Sequence, residues 1–221
     1  MAEQVSERRE LGEFNRIAMR GVGKMFINQG KEQSVVIEGD KIGVSRISTN
    51  VSDGRLVIDI GRDWVEKISA GFDFISNDIL IKITLKDLRE LEVTGAADIE
   101  VGEIKTDALE LKLIGASNLK VTELKADSLK TEIPGAGKVQ VEGKVKDQSV
   151  TLAGAGNFSG YKLESETAKV VLSGVGSAQL WVKKELDATI AGVGSVEYYG
   201  NPTIKQSVAM LGKITCLGDP K

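Results

Sequence analysis

The chain has 221 residues, 41% of them hydrophobic, with 29 basic and 32 acidic side chains, a formal charge of −3, one cysteine and no histidine. That length can bury a core, as one elongated domain or two small ones. The near-balanced charge, without any Lys/Arg-rich run, excludes a nucleic-acid binder that works by phosphate attraction; the missing histidine excludes Ser-His-Asp or Cys-His catalysis and His-ligated zinc, and a lone Cys216 excludes an internal disulfide.

Residues 1–12 are polar and carry both signs of charge, which predicts a flexible, solvated lead-in. Neither this stretch nor any later one has the apolar run of a signal segment or a membrane span, so direct membrane insertion is not expected. Two locations fit: the cytoplasm, or the cell exterior or periplasm after removal of a leader. Residues 13–90 read as an N-terminal β region. Ser34-Val35-Val36-Ile37-Glu38 and Arg55-Leu56-Val57-Ile58-Asp59-Ile60 have strand character, with Asp53-Gly54 as a turn dipeptide before the second. Residues 61–77 place Trp64, Phe72 and Phe74 in an aperiodic setting and read as an insertion that could cover a face or an end; Ile79 to Leu85 then restarts the alternation. Helix is expected only as a turn or two, at the N-terminus or near Trp64 to Ser69.

From residue 91 to 217 the chain repeats itself. A small-residue tripeptide begins at Gly95, Gly115, Gly135, Gly154, Gly174 and Gly192, with spacings of 20, 20, 19, 20 and 18 residues. A degenerate copy, Met210-Leu211-Gly212, follows, and Gly21-Val22-Gly23 stands alone upstream. Counted from the third residue of each copy, apolar side chains form columns of period two. Four places before it stand Met19, Val93, Leu113, Ile133, Leu152, Leu172, Ile190 and Val208; two places after it stand Met25, Ile99, Leu119, Val139, Phe158, Ala178, Val196 and Ile214. Four places after it the column ends in Tyr198 and Cys216, which makes the cysteine an expected inward packing residue. Polar residues occupy the positions between, as strands with one wet face require.

Each repeat therefore reads as strand, bend at the small tripeptide, strand, and a looser polar turn such as Glu123 to Ser128. One such unit cannot bury its own apolar face, so units stack. The expected fold is all-β, a β-solenoid of roughly 20-residue coils cornered at Gly-x-Gly or Gly-Ala-x turns, continuous with the 13–90 region. Stacking at about 4.8 Å per coil would set Glu92, Lys112 and Glu132 in a ladder of alternating sign and Glu100 beside Lys120.

Candidate sites are few. No glycine triplet extends to Gly-x-Gly-x-x-Gly between a strand and a helix, so no dinucleotide cofactor is expected. The residues following the tripeptides are Asp98, Asn118, Lys138, Asn157, Ser177, Ser195 and Lys213, which lack the repeated aspartate of a calcium β-roll, so no metal is expected. Acids on the outward columns are interrupted by lysines, which argues against a polysaccharide-cleaving pair. One constellation stands out: five places after the bend, Tyr161, Trp181 and Tyr199 would share a column on three consecutive coils, a strip suited to a sugar, a peptide or another subunit, or else a corner stack shielding the strands beneath.

The set Phe14-Asn15-Arg16-Ile17, Gly21-Val22-Gly23-Lys24-Met25, Asp53-Gly54-Arg55-Leu56-Val57-Ile58, Ile83-Thr84-Leu85-Lys86-Asp87-Leu88 and Leu91 to Val101 resembles the putative auto-transporter adhesin, head GIN domain family, over about residues 12 to 217. The resemblance implies a bacterial, usually exported β-helix, pectin-lyase-like in outline, with an adhesion role and no catalytic residues. The expectation is a non-enzymatic surface module without cofactor, presenting its faces to a cell-surface protein, a glycan or copies of itself as a homo-oligomer. The alternative is a cytoplasmic self-assembling scaffold of the bactofilin-like kind, and a third reading is a polysaccharide-binding or polysaccharide-active protein. An abrupt last coil would leave backbone groups unpaired and favour self-association.

Overall fold

A computed structural model of the chain describes residues 3–60, 79–209 and 211–220; the insertion expected at 61–77 lies outside the described residues. The N-terminal elements are β1 (Gln4–Arg9), β2 (Arg16–Gln29), β3 (Ser34–Asp40), α1 (Lys41–Arg46), β4 (Ser48–Ser52), β5 (Arg55–Asp59) and β6 (Leu80–Leu85). The repeats follow as β7 (Glu90–Lys105), β8 (Ala108–Gly115), β9 (Asn118–Ile133), β10 (Lys138–Leu152), β11 (Ala155–Leu172), β12 (Val175–Ile190), β13 (Val193–Tyr199), β14 (Thr203–Val208) and β15 (Leu211–Cys216). Parallel rungs stack into a β-solenoid of about 6 turns.

The register is the one the repeat requires. Leu152 lies opposite Ile133 on one rung and Leu172 on the next, and Val93 opposite Met19 and Leu113. All six are fully buried. The second column, Met25, Ile99, Leu119, Val139, Phe158, Ala178 and Val196, is buried as well. Each rung thus repeats the same apolar positions at about 4.8 Å, and no single coil could remove both rows from water. Glu92, Lys112 and Glu132 fall in one outward ladder, and Glu100 lies opposite Lys120.

Two local expectations are corrected. The stretch Glu123 to Ser128, expected as a looser polar turn, continues β9, and its Leu124 is fully buried opposite Ile104. Val145, Leu163 and Val182 are buried on later rungs, giving the coil a third inward-facing group too short to separate from a turn by periodicity. Cys216, expected as inward packing, is exposed although it lies opposite Tyr198 as the column predicts. It occupies the final rung, where Val208 is exposed too, because among the described residues no further rung lies over them.

The N-terminal region departs most from chain order. β2 is an inner rung: it pairs with β7 on one side and with β5 and β6 on the other, so that Met19 meets Ile58 and Met25 meets Ile81. The tripeptide Gly21-Val22-Gly23, isolated in sequence, stacks directly on Gly95-Ala96-Ala97. Beyond β5 and β6 the parallel pattern stops. β4 pairs antiparallel with β5, β3 with β6, and β1 with β3, closing that end. Residues 4–9, expected within a flexible lead-in with a helical turn at the N-terminus, are the strand β1. Among the described residues the helix falls at α1, where the Asp40 carboxylate accepts a hydrogen bond from the Gly43 N–H at 2.8 Å; the helical turn expected near Trp64 to Ser69 lies outside the described residues. The Arg9 guanidinium donates to the carbonyls of Val44 and Ile47 at 3.1 and 3.3 Å, tying β1 to the helix end.

The corner glycines have a common cause. Gly95 and Gly115 hold φ of +136° and +130°, a region costly for a residue with a Cβ. At Gly135, Gly154, Gly174 and Gly192 the constraint is space: an added Cβ would fall on the carbonyl oxygen of the glycine one rung earlier. Rungs can close to ladder spacing at this corner because neither backbone carries a side chain there. At one corner, Ser117 adds a stitch, its hydroxyl accepting from the Ala97 N–H at 3.1 Å and donating to the Gly95 carbonyl at 3.3 Å.

Candidate binding surface

The expected three-ring column resolves into a pair. Trp181 and Tyr199 lie opposite each other on neighbouring rungs, both half-buried. Tyr161 does not join them. Gly160 pairs with Leu180, but the next pair is Glu164 with Trp181, so residues 161–163 bulge between them. Counting from the bend assumes a constant strand, and the bulge breaks that count. Tyr161 is exposed, with the Lys162 ammonium 5.6 Å from its ring centroid.

The pair sits on a built support. Ser165, fully buried, donates to the Trp181 carbonyl at 2.8 Å and accepts from the Gln148 side-chain amide at 2.7 Å, anchoring the strand beneath the indole. Beside Trp181, the Glu164 carboxylate lies 2.9 Å from the Lys144 ammonium and 3.2 Å from that of Lys183. The hydrogen bond from Lys144, assisted by Lys183, holds its carboxyl below the usual range against the opposing effect of burial. Glu166 is likewise lowered by Lys184, 2.5 Å away. On the last two rungs, burial and then a hydrogen bond with Cys216 raise the Tyr198 phenol.

These shifts bear on chemistry. A general acid at neutral pH needs a carboxyl held protonated by burial or by a neighbouring anion. Glu13, Glu164 and Glu166 are moved the other way by lysines, and Asp87, against the opposing effect of burial, by hydrogen bonds from Arg89 and Thr106. Among the described residues there is no group of three or more acidic or cysteine side chains able to hold a metal ion. Among them, too, no helix is long and apolar enough to cross a membrane.

An apolar ridge escaped the column count. The middle residues of the later corners, Val175, Val193 and Leu211, lie opposite one another in turn and are 59%, 39% and 77% exposed. The signal was available in the sequence, since Ala96, Ala116, Ala136 and Ala155 give way there to larger aliphatic residues.

The sequence matches a known family model, the putative auto-transporter adhesin, head GIN domain, over residues 13–202. The chain belongs to that family. Its fold is shared with solved structures across nearly the whole length. An adhesin from Bacteroides fragilis, described as putative, superposes with a TM-score of 0.87 at 24% identity, covering 97% of each chain. A similarly described lipid-binding protein from Parabacteroides distasonis gives 0.71 at 20% identity, covering 97% of this chain and 96% of that one. An adhesin from Parabacteroides merdae, again so described, gives 0.68 at 21% identity with the same coverage. No curated protein matches the chain. At these identities the structural likeness establishes the fold, and membership of the family suggests an exported, cell-surface protein.

Proposed function

We propose that the chain is a non-enzymatic, adhesin-type surface module, exported from a bacterial cell, whose solenoid faces bind a partner. The observation that carries this reading is the state of the outer ladders. Rung stacking holds polar side chains in fixed rows at about 4.8 Å, and acids such as Glu110, Glu164 and Glu185 are ion-paired to lysines of neighbouring rungs. Ion-paired acids suit a static surface and do not suit proton transfer, and at Glu164 the lysines hold the carboxyl below its usual range.

The scaffold reading is less well supported. Filaments built through coil ends need a parallel ladder open at both ends, and the N-terminal end carries antiparallel β1, β3 and β4. The Trp181 and Tyr199 pair serves in this reading as part of a contact surface. Adherence of the purified protein to immobilised matrix proteins and glycans tests the proposal. Binding that saturates supports it, and degradation of a polysaccharide in a substrate panel without any adherence overturns it.

A further inference from the structure

A groove of about 470 Å³ runs along the outer face of β2, β7, β9 and β10, and neither Trp181 nor Tyr199 lines it. One wall is the outward row Lys24, Asp98, Asn118 and Lys138, and the other is Phe26, Glu100, Lys120 and Gln140; residues of each row lie opposite one another on successive rungs. The floor is backbone whose hydrogen bonds are used on both sides, because all four strands are inner rungs. An extended peptide therefore finds no free strand edge there, and recognition falls to side chains.

Facing charges close on some outer ladders and, among the described residues, stay open on others, as at Lys112 between Glu92 and Glu132 and in this groove. Where a lysine closes on the carboxylate it faces one rung away, the distances are 2.8 Å for Lys130 and Glu110, 2.9 Å for Lys144 and Glu164, and 3.5 Å for Lys162 and Glu142. Lys24 faces Asp98 and Lys120 faces Glu100 in the same kind of register, yet among the described residues neither pair comes within ion-pair distance, and Lys138 faces only amides, Asn118 and Asn157. Asp98 is engaged instead by the Asn118 amide, which donates to it at 2.9 Å. The walls thus stand open, with free ammonium groups at Lys120 and Lys138 on adjacent rungs, carboxylates and amides between, and an exposed aromatic ring, Phe26, at one end.

We infer that this groove binds an acidic oligosaccharide lying along the solenoid axis. Ligand carboxylates meet Lys120 and Lys138, hydroxyl groups donate to Asp98 and Glu100 and exchange hydrogen bonds with Asn118 and Gln140, and a sugar face packs on Phe26. Charge complementarity selects the acidic class: three ammonium groups face two carboxylates, and Asp98 is already partly satisfied. The inference rests on the reading of the chain as a binding surface and gives it a ligand class and a place.

Titration calorimetry with a β-1,4-linked mannuronate hexamer and its neutral counterpart, mannohexaose, separates the carboxylate contribution from the shared sugar skeleton, and a glutamate hexamer controls for charge alone. The expected result is binding of the mannuronate hexamer at least about tenfold tighter than that of either control, reduced about tenfold or more in Lys120→Ala/Lys138→Ala and several-fold in Phe26→Ala. Lys205→Ala, on β14 and outside the groove lining, leaves it unchanged. These residues are exposed, and circular dichroism verifies that each variant keeps its fold. No binding, equal binding of the glutamate or neutral hexamer, or indifference to Lys120→Ala/Lys138→Ala overturns the inference. If the unmodified protein still adheres to surfaces while the groove variants adhere equally well, the groove fails and the adhesion reading stands.

Discussion

Replacing Gly115 by alanine puts the corner geometry to its hardest test. Gly115 holds φ of +130°, and an added Cβ would fall on the Gly95 carbonyl oxygen. That oxygen accepts from the Ala116 N–H at 2.8 Å, and the Gly115 carbonyl accepts from the Ala136 N–H at 2.7 Å. Relief of the clash has to move the rung outward and weaken both bonds. Backbone strain of about 1–3 kcal/mol and two weakened hydrogen bonds at about 0.5–1.5 kcal/mol each give a loss of roughly 2–6 kcal/mol. That is a large share of the 5–15 kcal/mol or so that holds a typical domain. Gly12 is the matched control: its nearest neighbour would be Val51 Cγ1 at 4.0 Å, so Gly12→Ala should be neutral or slightly stabilising. Urea unfolding followed by circular dichroism compares the two, and hydrogen exchange shows whether Gly115→Ala opens rungs beside residue 115 first, as nearest-neighbour stacking requires. Stabilities within about 0.5 kcal/mol of each other would refute the argument that rung spacing excludes a side chain at this corner.

Three further outcomes follow from individual residues. Thr131 is fully buried in a column between Leu111 and Val150, and among the described residues its hydroxyl has no hydrogen-bond partner, so the isosteric Thr131→Val should stabilise by about 1 kcal/mol in the same urea assay; a destabilised variant would mean the hydroxyl is satisfied. Cys216 is exposed and should react with a chromogenic disulfide reagent in the folded protein about as fast as in urea; protection without denaturant would restore the inward placement expected from its column. Glu164 has its carboxyl lowered by Lys144 and Lys183, so its stabilising contribution is present above the unfolded-state value and lost as pH falls through the lower folded-state value. Glu164→Gln should therefore melt below the parent at about pH 7 and close to it at about pH 3, and a gap independent of pH would contradict the ion-pair assignment.

The solenoid was legible because its defining contacts recur. Leu113, Ile133 and Leu152 occupy the same place relative to successive small tripeptides, and a shared column needs only a constant interval to be recognised. The binding surface was less so. Trp181 and Tyr199 meet as counted, but three bulging residues carry Tyr161 out of line, and nothing in the local pattern of β11 marks where register slips. The open charges of Lys24 and Lys120 were equally hidden, since register places a lysine opposite an acid without deciding whether the two side chains close.

What the amino-acid order determined by itself is the periodic part: apolar alternation selects strands, and small corners at nearly constant intervals bring equivalent residues together, so coil stacking is implied by local chemistry. Tertiary structure alone decided the ends and the exceptions. β2 lies between β7 and the later-occurring β5 and β6, and antiparallel β1, β3 and β4 close that end, because pairing between distant segments depends on which edges remain free once the coil has formed. Cys216 shares its column with buried residues and is nevertheless wet, because burial requires a neighbour on both sides and a column in the sequence specifies only alignment.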